Sequence, residues 1–289
     1  MFRAGYFFVK LSFNQPNRYK ILQIAGGSPG AGFGDPSGLT AALDAEEPDL
    51  LVVTGAFPQS DGDMAALKRF CALMETRTLR WAFVPGACGE NDRRSSDAAE
   101  ALMLAAPGCV YERGPEAVTG EGNYEIRLIG TDGKICWALY FFDTSRALSS
   151  ARGDGFAAPD HSQVEWYIEK RLSTYAEEET FASLLFLHRP LPEHWEAYAE
   201  RGPNHALAEK TPDRMRNGGL FSAVREDKRA LGVFCGEVFD EALCLKWQGV
   251  ALGSAPSPRD GCRVLSLNES GERPLLETYV RLWDGTLRR

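Results

Sequence analysis

Four histidines supply all the imidazole in this chain: His161, His188, His194 and His205. Only His188 directly follows an apolar run, Ala182–Leu187, and it stands just ahead of Arg189-Pro190. A side chain at the carboxyl end of a buried strand is placed to reach a site, and an imidazole there could ligate a metal or act as a base. A solitary histidine is a poor metal site, however, and is read here as a hydrogen-bonded residue on a pocket floor. With Cys88 it would form a thiolate and base pair, although the sequence offers no third residue to orient the base. Glu237 could hold a cation with Asp240, or with Glu90 and Asp92. Such oxygen donors suit Mg²⁺ or Ca²⁺, but these carboxylates are read here as solvated loop charges. The loop Gly26-Gly-Ser-Pro-Gly-Ala-Gly-Phe-Gly34 is rich in glycine like a phosphate cradle, yet lacks the Lys-Ser/Thr of a Walker loop. His161 opens a predicted helix, and His194 and His205 fall in polar stretches expected at the surface.

The elements that must position these residues alternate along the first half of the chain. Lys20–Ala25, Asp49–Thr54 and Trp81–Pro85 are short apolar runs predicted as buried strands. Helical segments near 39–46, 63–76 and 95–105 follow them, the order that builds a parallel sheet with functional loops at its carboxyl edge. Asn123–Ile129 and Ile135–Asp143 read as a hairpin around Thr-Asp-Gly-Lys. His161–Glu178 is an amphipathic helix whose apolar face is predicted at Val164, Tyr167, Ile168, Leu172 and Tyr175. Ala182–Leu187 and Ala230–Cys235 are further buried strands, and several short strands run from Ala242 to Leu282. No linker composition interrupts the chain, so one domain is expected over 19–285, with an extension at 1–18 and a tail at 286–289.

Apolar residues make up 44% and charged residues 25%, with 16 Phe and 6 Trp to fill a core. The net charge of −8 argues against a nucleic-acid binder, which needs clustered cations. Seven cysteines, an odd number with no C-x-x-C pair, sit mostly in apolar runs and read as buried reduced thiols of a reducing compartment. No stretch is long and apolar enough for a membrane span. A cytoplasmic protein without nucleic-acid or membrane partners is expected.

The order of the strand ends carries a resemblance. Pro48-Asp-Leu-Leu-Val-Val-Thr-Gly55, Glu112-Arg-Gly-Pro-Glu116 with Gly122-Asn-Tyr124, and Ala138-Leu-Tyr-Phe-Phe-Asp-Thr144 come first. Gln163-Val-Glu-Trp166, Phe186-Leu-His-Arg-Pro-Leu-Pro-Glu193, Gly218-Gly-Leu-Phe221, Gly261-Cys-Arg-Val264 and Thr278-Tyr-Val-Arg-Leu282 follow. In this joint order, from about Tyr19 to Gly285, the chain resembles the calcineurin-like metallophosphoesterases, in the branch with purple-acid-phosphatase-like sequences. The resemblance implies a four-layer α/β/β/α sandwich of two mixed sheets packed face to face. It also implies two divalent metals (Mn, Fe or Zn) that clamp a phosphate ester and activate a bridging hydroxide.

The motif positions themselves depart from that family. Where it carries Asp-x-His after the first strand, this chain has Gly26-Gly27-Ser28; where it has the bridging Asp, Ala56. The third motif, Gly-Asn-His-Asp in the family, reads Gly86-Ala87-Cys88-Gly89, and the last, Gly-His-x-His, reads Gly236-Glu237-Val238-Phe239. Shifting the third motif onto Gly89-Glu90-Asn91-Asp92 restores a carboxylate but no histidine. His188 is the one ligand position retained. No bound metal or other cofactor is therefore expected, and the reading is of a pseudophosphatase that binds a small phosphate ligand or a protein partner. The rival is a hydrolase with a single-metal or metal-free site around His188, Glu237 and Asp92.

Overall fold

The computed structural model describes residues 8–26, 36–55, 61–86, 93–144, 158–202, 217–236, 242–270 and 272–289. The strands are β1 (Val9–Ser12), β2 (Tyr19–Gly26), β3 (Leu50–Gly55), β4 (Arg80–Pro85), β5 (Tyr124–Ile129), β6 (Ile135–Phe142) and β7 (Ala182–Leu187). They continue with β8 (Ala230–Cys235), β9 (Cys244–Trp247), β10 (Val250–Ser254), β11 (Gly261–Leu267), β12 (Leu276–Leu282) and β13 (Leu287–Arg288). The helices are α1 (Pro36–Glu46), α2 (Asp61–Thr76), α3 (Arg93–Ala105), α4 (His161–Glu177), α5 (Pro192–Arg201) and α6 (Leu220–Glu226).

Two mixed sheets form, of order β1-β5-β6-β7-β8-β10-β9 and β13-β12-β11-β2-β3-β4. In one, β2, β3 and β4 run parallel; in the other, β6, β7, β8 and β10 do. Successive parallel strands require chain that crosses back, and α1, α2, α4, α5 and α6 lie on such crossings. The alternation along β6 shows the layering. Trp137, Leu139 and Phe141 enter the core shared with the second sheet and α1–α3. Ala138, Tyr140 and Phe142 enter a second core beneath α4, α5 and α6. Two sheets face to face with helices outside make the α/β/β/α sandwich that the motif order implies.

Within the stretch read as an extension, Val9–Ser12 pairs in parallel with β5 and forms the sheet edge. Leu287–Arg288, in the stretch read as a tail, joins β12 as an edge strand; a β edge offers unpaired backbone groups to any adjacent extended segment. The expected face of α4 needs correction. The buried face of α4 is Gln163, Val164, Trp166, Tyr167, Lys170 and Thr174, whereas Leu172 and Tyr175 are 56% and 45% exposed. Polar partners turn the helix. Gln163 closes a capping box with Asp160 and donates to Asn123 Oδ1 at 2.7 Å, while Thr174 donates to the buried Glu125 at 2.7 Å. Helix α5 lies in the stretch read as polar surface; Pro192 sits at its start, where the missing N–H costs nothing.

Candidate functional site

The carboxyl ends of β2, β3, β7 and β8 converge from the two sheets. Gln23, fully buried in β2, donates through Nε2 to Thr54 Oγ1 at 3.1 Å and to the Cys235 carbonyl at 2.8 Å. One amide thus ties β3 of its own sheet to β8 of the other. The Gly236 N–H donates to the His188 carbonyl at 2.9 Å, which joins the end of β8 to the end of β7. Glycines are required where these ends meet. A Cβ on Gly55 would lie 2.1 Å from Gly26 Cα, and one on Gly236 2.6 Å from the Thr54 carbonyl oxygen and 2.9 Å from that of His188. Backbone, rather than side chains, fills the junction.

His188 is placed where the sequence put it, at the end of β7, and is only 8% exposed. Its Nδ1 makes no hydrogen bond of normal geometry. Burial and the neighbouring Arg189 push its pKa down to about 4, a shift that the nearby Thr54 carbonyl opposes. The ring is therefore neutral at pH 7, with an imidazole nitrogen unengaged. Gln23 Oε1 is another buried polar atom without a hydrogen-bond partner.

His194 overturns its surface assignment. It is 4% exposed in α5, accepts the Leu191 N–H at Nδ1 (3.2 Å) and faces the Val233 carbonyl with Nε2 at 3.3 Å. This pattern fixes the Nε2–H tautomer of a neutral ring, and burial depresses its pKa to about 4. A histidine on a one-turn cap can face inward as readily as outward, so local polarity misled. His161 is exposed at the start of α4 and lies 3.1 Å from Glu165.

Both depressed histidines make stability depend on pH with a defined sign. The unfolded chain binds protons near pH 6.5 that the folded chain refuses until about 4, so their contribution is present above about 6.5 and is lost as pH falls toward 4. Each shift corresponds to roughly 3 kcal/mol at full loss. Urea midpoints measured across this window should fall with acid, and fall less steeply in His194→Gln.

Ser28, Ala56, Ala87, Cys88, Glu90, Asp92, Glu237, Phe239 and Asp240 lie outside the described residues, as do His205 and the body of the glycine-rich loop. The structure therefore describes neither a Cys88–His188 pair nor a carboxylate group around Glu237. Gly26 is described, at the end of β2. Among the described residues no three His, Cys, Asp or Glu side chains group as a metal site. The six described cysteines are free thiols; burial pushes Cys235 up to about 12.

Sequence reasoning missed the polar scaffold behind the site. Asp143, at the end of β6, accepts the Glu121 and Gly122 N–H groups at 2.7 and 3.1 Å. Its own N–H donates to Asn123 Oδ1, and Gln163 donates to its carbonyl at 2.8 Å. This lattice holds the loop before β5 against the start of α4. The signal for Gln23 was present: one amide inside the apolar run Ile-Leu-Gln-Ile-Ala.

No protein-family model matches the sequence, and no curated protein matches it either. Solved structures do match. A dimetal phosphatase from Danio rerio aligns at a TM-score of 0.54 and 12% identity, over 91% of this chain and 99% of that one. GAP50, described as the anchor in the inner membrane complex of Plasmodium, aligns at 0.55 and 12%, over 93% of this chain and 86% of that one. A candidate 5′-nucleotidase from Staphylococcus aureus aligns at 0.50 and 8%, over 92% of this chain and 54% of that one.

Proposed function

We propose that this chain, which has the calcineurin-like metallophosphoesterase fold, is a pseudophosphatase: a cytoplasmic binding protein that keeps the architecture of a dimetal phosphatase without its hydrolytic centre. One observation carries the reading. The strand ends at the carboxyl edge are Gly26, Gly55, Gly86, Asp143, His188 and Gly236, and the Asp143 carboxylate is taken up by the Glu121 and Gly122 N–H groups, so a single imidazole stands where a dinuclear site needs several imidazoles and carboxylates. The donor set does not fit two metals, since glycine offers no coordinating side chain. The segments that follow β2, β3, β4 and β8, residues 27–35, 56–60, 87–92 and 237–241, add no histidine. Without metals, neither the nucleophile nor the developing charge on phosphate is provided for.

The site that remains suits recognition. The nearby Arg189 could hold a small phosphate ligand by charge, and an N–H of the neutral His188 ring could donate to it. The fold accommodates non-enzymatic roles, as the description of GAP50 as an anchor illustrates; a protein partner is the other form that binding would take. Among the described residues no helix is long and apolar enough to cross a membrane.

Elemental analysis after purification with Mn²⁺, Fe²⁺ and Zn²⁺ supplied tests this directly. Metal content near zero is expected, together with no turnover of an aryl phosphate above a buffer blank. About two metals per chain, or turnover that His188→Ala abolishes, would overturn the reading in favour of a working hydrolase.

A further inference from the structure

At the opposite end of the parallel strands lies a groove of about 490 Å³, within the size range of binding clefts. Phe181 and Arg229 line it and directly precede β7 and β8. His188 and Gly236 end those same strands, about 20 Å away by strand rise. Its apolar wall is Leu172 and Tyr175 of α4 with Phe181 and Pro274. Leu172 and Tyr175 belong to the apolar stripe that the sequence gives α4, yet the core does not use them. They are two of the five large apolar side chains exposed among the described residues, and a third, Leu275, is the chain neighbour of Pro274.

Three cations and three carboxylates line the groove, and one of the carboxylates, Asp227, is buried. Arg171, Lys228 and Arg229 line the groove, and none makes an ion pair among the described residues. Arg171 donates to the Ala223 carbonyl, and the Arg229 guanidinium lies 5.4 Å over the half-exposed Tyr175 ring. Asp227 is turned inward, accepting from the Tyr167 hydroxyl and the Arg229 N–H. Glu226 and Glu272 also line the groove, so a long run of carboxylates would be repelled. In a chain of net charge −8, this is an apolar surface whose three cations make no ion pair among the described residues, beside two exposed carboxylates.

We infer that this groove docks a segment of a partner protein in which one or two carboxylates flank a leucine or an aromatic residue. The apolar side chain packs on Leu172 and Tyr175, and the carboxylates pair with Lys228, Arg229 and Arg171. The inference goes beyond the proposed function and does not depend on it, because the groove and the strand-end loops lie at opposite edges of the sheet.

Selection of a phage-displayed random dodecapeptide library on the whole protein tests it. Enriched sequences should place Asp or Glu beside Leu, Phe, Tyr or Trp. Their synthetic peptides should lose at least about tenfold in affinity on Lys228→Glu/Arg229→Glu and, separately, on Leu172→Ser/Tyr175→Ser. Both double variants change surface side chains, and unchanged circular dichroism and melting temperature would show them folded. No enriched sequence, enrichment of neutral or basic sequences, or binding that survives both folded variants would overturn the inference. Metal content and turnover do not enter the readout, so the outcome is separable from that of the pseudophosphatase reading.

Discussion

Phe141→Ala is expected to lower the unfolding free energy by about 4 kcal/mol, within the range for removing a fully buried aromatic ring. Phe141 stands in the middle of an aromatic ladder between the sheets. Its ring stacks on Tyr124 at 4.5 Å with a 4° interplanar angle and on Phe186 at 5.2 Å with 16°, and Phe186 continues to Phe234 at 6.1 Å. The Tyr124 hydroxyl donates to the Phe83 carbonyl at 2.8 Å and accepts its N–H at 3.0 Å. The ladder therefore also fixes β4 of the facing sheet. A cavity at its centre loses packing on both sides and cannot collapse without moving two sheets. Urea unfolding should show the loss, and Phe141→Leu, which keeps most of the volume, should lose less than half as much. Equal losses for the two variants would overturn the cavity account and mean that the ring geometry of the ladder, rather than the volume it fills, carries the stability.

Arg127→Ala should cost about 3 kcal/mol, the lower end of the range for breaking a buried ion pair. Arg127 and Glu125 are both fully buried on β5, with Nε 2.7 Å from Oε1. Arg127 also reaches Glu177 at 2.7 Å and lies 3.8 Å from the centroid of the Phe8 ring. Removing the guanidinium strands the Glu125 carboxylate, which keeps only the Thr174 hydroxyl and the field of the buried Lys170. Lys170 is what holds the expected cost to the lower end. In Glu125→Gln/Arg127→Met the stranded charge is gone, so the double variant should be more stable than Arg127→Ala in urea. A double variant less stable than the single would show that the pair contributes net stability rather than only a penalty when broken.

The fold was legible to the extent that it follows from local pattern. Leu-Leu-Val-Val-Thr-Gly55 can only be a strand buried on both faces, and such strands in parallel require crossing helices. The order of strand ends then carried the family frame, and the absence of histidine from four of the loops was countable without any coordinates. The position of His188 was legible for the same reason: it follows an apolar run that forms β7.

Other features depended on contacts between residues far apart in the chain. The sequence gives α4 one apolar stripe, but Glu125, Asn123 and Asp143 select which face turns inward, leaving Leu172 and Tyr175 for a groove. His194 looks like a surface residue until Val233, 39 positions away, supplies its partner. Val9–Ser12 becomes a strand only because β5 presents an open edge to it. By itself the sequence determined the layers and the strand ends, because these follow from the periodicity and identity of neighbouring residues. The helix face, the buried histidine and the distal groove were decided by the tertiary structure, since unpaired buried polar groups must find partners wherever the folded chain provides them.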